Sequence, residues 1–244
     1  MKTVLITGAN KSIGFETARQ LLQQGYYVYL GCRDMQKGEE AVRQLNAEGL
    51  TNVEPIVIDV TDAESVKSAR TVLGQKTKVL DVLINNAGVS GTMQNALETE
   101  MSVFRAVFET NFFAVIQVTQ AFIGLMMDAP EPRIVNVTSG LGSIALHADP
   151  SWKYYNVKVA SYFPSKASLN AYTLALAHDL KETAFKVNVV DPGYTATDFN
   201  HHSGPGTVPD AAARVVKAAV LGADGPTGTF FSDDNSPETG ISPW

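Results

Sequence analysis

Short unbroken apolar runs rich in β-branched residues recur along the chain, and amphipathic stretches separate them. The runs are TVLIT (3–7), YVYLG (27–31), VEPIVI (53–58), DVLIN (81–85), RIVNVT (133–138), KVNVVD (186–191) and GTFF (228–231). Each is too short for a helix and apolar at successive positions, as strands buried on both faces require. Between them, apolar positions three and four apart predict helices over roughly 13–24, 35–47, 62–75, 99–127, 161–183 and 209–221, the fourth broken near Asn111. Asp34, Thr61 and Asp62 stand where N-caps of the second and third helices belong.

Strand and helix in alternation predict right-handed crossovers and a mostly parallel sheet. The expected fold is therefore α/β: a single doubly wound domain over residues 1–244, with seven strands and helices on both faces. No Pro/Gly/Ser-rich linker divides the chain and no repeat beyond the βα alternation is present. Ligands of such folds sit at the carboxyl ends of the strands, where the strand order reverses. Loops at about 140–160 and 194–208 are the expected substrate segments.

Composition narrows the function. A net charge of −6 leaves no basic surplus to neutralise phosphates, which argues against nucleic acid. The lone Cys32 excludes an internal disulfide and points to a reducing compartment. The N-terminal apolar run is too short for a membrane span and has no cleavage signature. A cytoplasmic protein with no membrane partner is the expectation, and the Asn10 and Asn136 sequons are chance matches. His147, His178, His201 and His202 lack the spacing of a metal site, so no metal is expected.

The first strand runs into TGANKSIG (7–14) and then a helix. Gly8 permits a tight turn, Gly14 removes a side chain where helix and strand pack, and the free N–H groups of the new helix attract an anion. Asn10, Lys11, Ser12 and Ile13 complete the turn, which in this setting predicts dinucleotide binding. The second strand ends in Cys32 and Arg33 rather than an acid. Arg33 with Lys11 suits a ribose 2′-phosphate, favouring NADPH/NADP+ over NADH. Asp34 complicates this, because it can pair with Arg33.

TGANKSIG, Asp59-Val60, NNAG (85–88), Asn111, Ser139, YFPSK (162–166) and PGYTAT (192–197) occur in an order and spacing that resemble the short-chain dehydrogenase/reductase family, nearly end to end. NKSIG, CRD and TNFF look most like its monomeric, NADPH-using carbonyl reductases and their bacterial relatives. The resemblance implies that Asp59 accepts from the adenine amino group beside a Val60 backbone contact. It implies that Asn86, Ala87 and Gly88 line the cofactor's ribose side, while Asn85 braces the fourth strand. Asn111 would help to hold a proton-relay water. Pro192 and Gly193 would border the nicotinamide, and Thr195 or Thr197 would contact its carboxamide or the pyrophosphate.

The chemistry centres on Tyr162 and Lys166, four residues apart on one helix face. A phenol of pKa about 10 suits neutral proton transfer poorly, and bringing it near 7 takes about 4 kcal/mol. One cation about 5 Å away at an effective dielectric near 20 supplies about 3 kcal/mol. Lys166 is that cation, and the resemblance also places it on the nicotinamide ribose. Pro164 belongs in a first helical turn, which sets Tyr162 near the strand tips. Ser139, at the end of the fifth strand, would donate to a substrate carbonyl oxygen. Thr138 should face the opposite way.

Three features depart from the family pattern. Ser12 replaces a usual glycine, the Ser139–Tyr162 spacing is about ten residues longer than in most members, and the segment 198–207 is short for a lid. The longer loop is aromatic. Ser143, Trp152, Tyr155 and Tyr194 are candidates for a substrate pocket, although the aromatics, Tyr154 among them, suit packing the loop down equally well. Homo-oligomer and monomer both stay open. The expected activity is reduction of a ketone or aldehyde to an alcohol, reversibly, with Tyr162 as proton donor. The alternatives are a non-catalytic dinucleotide-sensing regulator, disfavoured because Ser139, Tyr162 and Lys166 are all present, and a nucleotide-sugar epimerase, which resembles longer chains with a larger C-terminal lobe.

Overall fold

The apolar runs form strands whose alternate side chains enter two separate cores. In the computed structural model, which describes Met1 to Trp244, Val4 and Ile6 of β1 (Thr3–Ile6) join one cluster and Leu5 joins the other, all fully buried. The remaining strands are β2 (Tyr27–Cys32), β3 (Val53–Val57), β4 (Val82–Asn85), β5 (Arg133–Val137), β6 (Lys186–Val190) and β7 (Phe230–Phe231). They lie in the order β3-β2-β1-β4-β5-β6-β7, and every pairing between them is parallel. Pro55, which cannot donate to a ladder, is accommodated because β3 is an edge strand.

Helices α1 (Ser12–Gln23), α2 (Met35–Ala47) and α8 (Val208–Ala219) cover the Val4/Ile6 face, while α3 (Ala63–Lys76) and α5 (Ala114–Met126) cover the Leu5 face. Asp34 and Asp62 cap α2 and α3, each accepting two backbone N–H bonds, whereas Thr61 caps nothing. α4 (Met101–Phe108) runs into α5 through a π-turn at Glu109–Phe113, the predicted break at Asn111. The combined helix Met101–Met126 is long and apolar enough to cross a membrane, yet it lays Val107, Asn111, Val115, Val118 and Phe122 against the rest of the protein.

α7 (Tyr162–Asp179) begins at Tyr162, with Pro164 in its first turn. The loop before it holds structure that periodicity did not predict: a 3-10 turn at Gly140–Gly142 and a short helix, α6 (Ile144–His147). The predicted last strand shrinks to two residues. The strand order reverses between β1 and β4, and the segments after these two strands open the cleft described next.

Candidate active site

Two turns that no side chain can enter build the cleft floor. Gly8 has φ +64°, and a Cβ there would lie 3.1 Å from Ala87 Cα. A Cβ on Gly14 would meet Asn86 Nδ2 at 2.5 Å and Gly8 O at 2.7 Å. Asn86 occupies that space because its Nδ2 donates to Thr7 O (2.9 Å) and Gly8 O (3.1 Å). Thr7 Oγ1 in turn accepts from the Asn86 and Ala87 amides. The glycine turn and NNAG are thus one hydrogen-bonded unit. Ser12 adopts φ +51°, a left-handed conformation that a glycine would take without strain.

The predicted cations have different partners. Lys11 Nζ reaches across to Asp198 Oδ2 at 3.0 Å, in an exposed pair. Arg33 is exposed next to Asp59, whose carboxyl it helps to hold below the ordinary range, behind a larger effect from the Thr61 amide. Asp34 does not compete for Arg33, since its Oδ1 is spent on the Gln36 and Lys37 amides. Asp59 Oδ1 accepts from the Thr61 amide and hydroxyl, and the buried Val60 accepts through its carbonyl from Gln117.

Ser139, Tyr162 and Lys166 meet at the tip of β5. Ser139 follows the strand in extended conformation and its Oγ accepts from the Leu141 amide at 3.2 Å. Thr138 turns instead to Asn170 Oδ1 at 2.7 Å, and Asn170 Nδ2 donates to Gly142 O, so α7 grips the turn that carries Ser139. The Ser139 hydroxyl lies near enough to the Tyr162 phenol to favour its ionised form. Lys166 is 4% exposed; its Nζ donates to Val137 O at 2.8 Å and lies 5.8 Å from the centre of the Tyr162 ring.

The electrostatics differ from the simple cation argument. Burial pushes the Tyr162 phenol well above its ordinary value, the nearby Ser139 hydroxyl opposes this, and the charge of Asp191 adds to it. Burial also brings the Lys166 ammonium down to about 8. The protein therefore holds the phenol protonated.

Asn111 is fully buried on the π-turn. Its Oδ1 accepts from the Val89 amide (2.9 Å), and its Nδ2 donates to Val89 O (2.9 Å) and Ser165 Oγ (3.1 Å). It thus ties the segment after Gly88 to α7. Behind it, Asn85 donates to Asn136 Oδ1 (2.9 Å) and Thr119 Oγ1 (3.2 Å), and Asn136 donates to Thr173 Oγ1 (2.9 Å), a buried ladder that fixes β4 and β5 against α5 and α7. On the far wall, Gly193 has φ +81° and the Pro192 carbonyl accepts from Arg214 at 2.8 Å. Thr195 and Thr197 are buried, and the Thr195 hydroxyl folds back onto the Pro192 and Gly193 carbonyls.

The pocket candidates separate. Ser143 is fully buried and caps α6 by accepting from the Leu146 amide, so it does not line a pocket. Trp152 is 8% exposed and packs edge-on to His147 and Tyr154, which secures the loop. Tyr155 lies under Lys158 Nζ at 4.1 Å. Tyr194 is 45% exposed and faces Tyr154 at the cleft mouth. Phe199, which the sequence reading did not single out, places its ring 5.6 Å from that of Tyr162. Its only sequence signal is its place in the predicted lid segment.

Gly8, the Gly14 gap, the Asn86–Gly88 edge and exposed Arg33 fit a dinucleotide laid across the strand tips. A doubly wound parallel sheet with Ser, Tyr and Lys gathered beside a glycine turn defines a nucleotide-dependent oxidoreductase fold. The chain belongs to the short-chain dehydrogenase family, whose model matches residues 2–207. It is 36% identical over 241 residues to the short-chain dehydrogenase anuI of Penicillium roqueforti, covering 96% of this chain and 94% of that one. It is 33% identical to a (+)-neomenthol dehydrogenase of Capsicum annuum, covering 93% and 94%. Among solved structures, NADPH-bound carbonyl reductase from chicken fatty liver superposes with a TM-score of 0.85 at 26% identity, covering 100% of this chain and 99% of that one. Enzymes of this family use NAD(P).

Proposed function

We propose that the protein is an NADPH-dependent reductase of ketones or aldehydes, reversible as an alcohol dehydrogenase, with Tyr162 as the proton donor. The observation that carries this reading is the convergence of Ser139, Tyr162 and Lys166 beside the glycine cradle. When bound, the dinucleotide supplies the hydride in one direction and accepts it in the other. The chain does the rest. Ser139 offers its hydroxyl to the carbonyl oxygen, and Tyr162 gives its proton to the same oxygen as negative charge develops there. Lys166 keeps a buried positive charge near the phenol as it loses that proton. A donor held protonated until the alkoxide forms suits reduction.

Arg33, exposed and free of ion pairs, supports recognition of a 2′-phosphate and hence NADPH over NADH. The relatives named as neomenthol dehydrogenase and carbonyl reductase support a carbonyl panel that includes alicyclic ketones. The exposed Tyr194 and Phe199 rings offer such substrates an apolar wall.

The test is oxidation of NADPH and of NADH against that panel, with wild type and Tyr162→Phe side by side. Turnover with NADPH that the substitution abolishes supports the proposal; turnover that survives it removes Tyr162 from the chemistry.

A further inference from the structure

Asp191 lies just past β6, between the turn that carries Ser139 and the turn that carries Gly193, and is 3% exposed. Its Oδ1 accepts from the Gly193 amide at 2.9 Å and its Oδ2 from the Ser232 hydroxyl at 2.7 Å. The neighbouring Gly140 amide also favours its charged form. A Cβ on Gly140 would meet Asp191 Oδ2 at 2.9 Å, so the Ser139 turn is packed directly on the carboxylate. The C-terminal segment closes the other side: the Asn235 amide donates to Ser232 Oγ (3.0 Å), Asn235 Nδ2 donates to Gly140 O (3.2 Å), and the Ala145 amide donates to Trp244 O (2.9 Å).

Two donors and no acceptor are the partners of an ionised carboxylate, even though burial pushes its pKa up. The charged and titratable groups around it are Tyr162 on α7, Tyr154 from the aromatic loop, Arg214 and Lys217 on α8, and Asp233 and Asp234 in the C-terminal segment. Arg214 is engaged by Pro192 O and Asp233, so it does not neutralise Asp191 by direct pairing.

We propose that Asp191 is a positioning residue for the reaction: by accepting from the Gly193 amide and the Ser232 hydroxyl directly against Gly140, it holds the Ser139 turn in register with the Gly193 turn. This inference rests on Ser139 and Tyr162 carrying the chemistry.

The test is the steady-state kinetics of NADPH-dependent carbonyl reduction, using the full chain as wild type, Asp191→Asn, Ser232→Ala and Tyr162→Phe. Asp191→Asn is expected to lower kcat by roughly 10-fold, the scale of a small misplacement of a reacting group, with KM for the carbonyl substrate little changed. Ser232→Ala removes one tie and is expected to lower kcat severalfold in the same pattern, and it carries the test alone if Asp191→Asn fails to fold. Wild-type kcat in folded Asp191→Asn or in Ser232→Ala, or a loss confined to KM, overturns the inference while leaving the donor assignment intact. Turnover surviving in Tyr162→Phe overturns the donor assignment itself, and this inference with it.

Discussion

Lys166 stands one helical turn from Tyr162, with its buried Nζ 5.8 Å from the phenol ring and its hydrogen bond given to Val137 O. The ammonium sits against the ring face, and the Ser139 hydroxyl is the neighbour that favours the ionised phenol. Phenol, serine hydroxyl and buried ammonium thus occupy separate positions at the tip of β5.

Removing the proposed proton donor should suppress chemistry and spare binding. Tyr162→Phe is expected to lower kcat for NADPH-dependent reduction by roughly 10²-fold or more, the scale of general-acid catalysis. NADPH affinity, read by fluorescence titration, should change little.

Lys166 gives the protein a pH signature. Its folded pKa of about 8 lies below its ordinary value of 10.5, so between these values the unfolded chain binds more protons. Stability should therefore rise with pH across that window, because the buried charge that burdens the fold below about 8 is shed. Denaturant midpoints measured from pH 7.5 to 10 should show this rise in wild type relative to Lys166→Met, which should lack it. An identical slope in both proteins would remove Lys166 as its source.

Gly14 faces Asn86 at a distance no Cβ tolerates. Gly14→Ala is expected to cost about 1–3 kcal/mol, the range for overpacked sites. It should also weaken the rise in melting temperature that NADPH gives to wild type. Equal NADPH-induced shifts in the two proteins would mean that the glycine turn does not hold the dinucleotide.

Arg33 and Lys11 should not contribute equally. Arg33→Ala is expected to raise KM for NADPH by roughly 10-fold or more, as for loss of a charge-assisted bond, with KM for NADH little changed. Lys11→Ala should have the smaller effect, since Lys11 already pairs with Asp198. The reverse order in steady-state kinetics would move the phosphate site to the glycine turn.

The strands, the break at Asn111 and the start of α7 were legible because local rules govern them. Unbroken apolar runs bury both faces, and Pro164 is tolerated only in a first turn. The 3-10 turn and α6 escaped notice because four or fewer residues carry no periodicity. Ser143 reads as a pocket candidate for a related reason: a serine in a loop looks alike whether it faces solvent or caps a short helix.

By itself the sequence determined the fold class, the glycine turn, and the pairing of Tyr162 with Lys166, since each depends on residues close in the chain. Only the tertiary structure decided that Lys11 turns to Asp198, that the Phe199 ring meets that of Tyr162, and that Asp191 meets Gly140 and Ser232. These partners lie far apart in sequence and meet only because the sheet brings the strand ends together. The same burial set the protonation of Tyr162, because the desolvation of a phenol depends on everything packed around it, not on its neighbour one turn away.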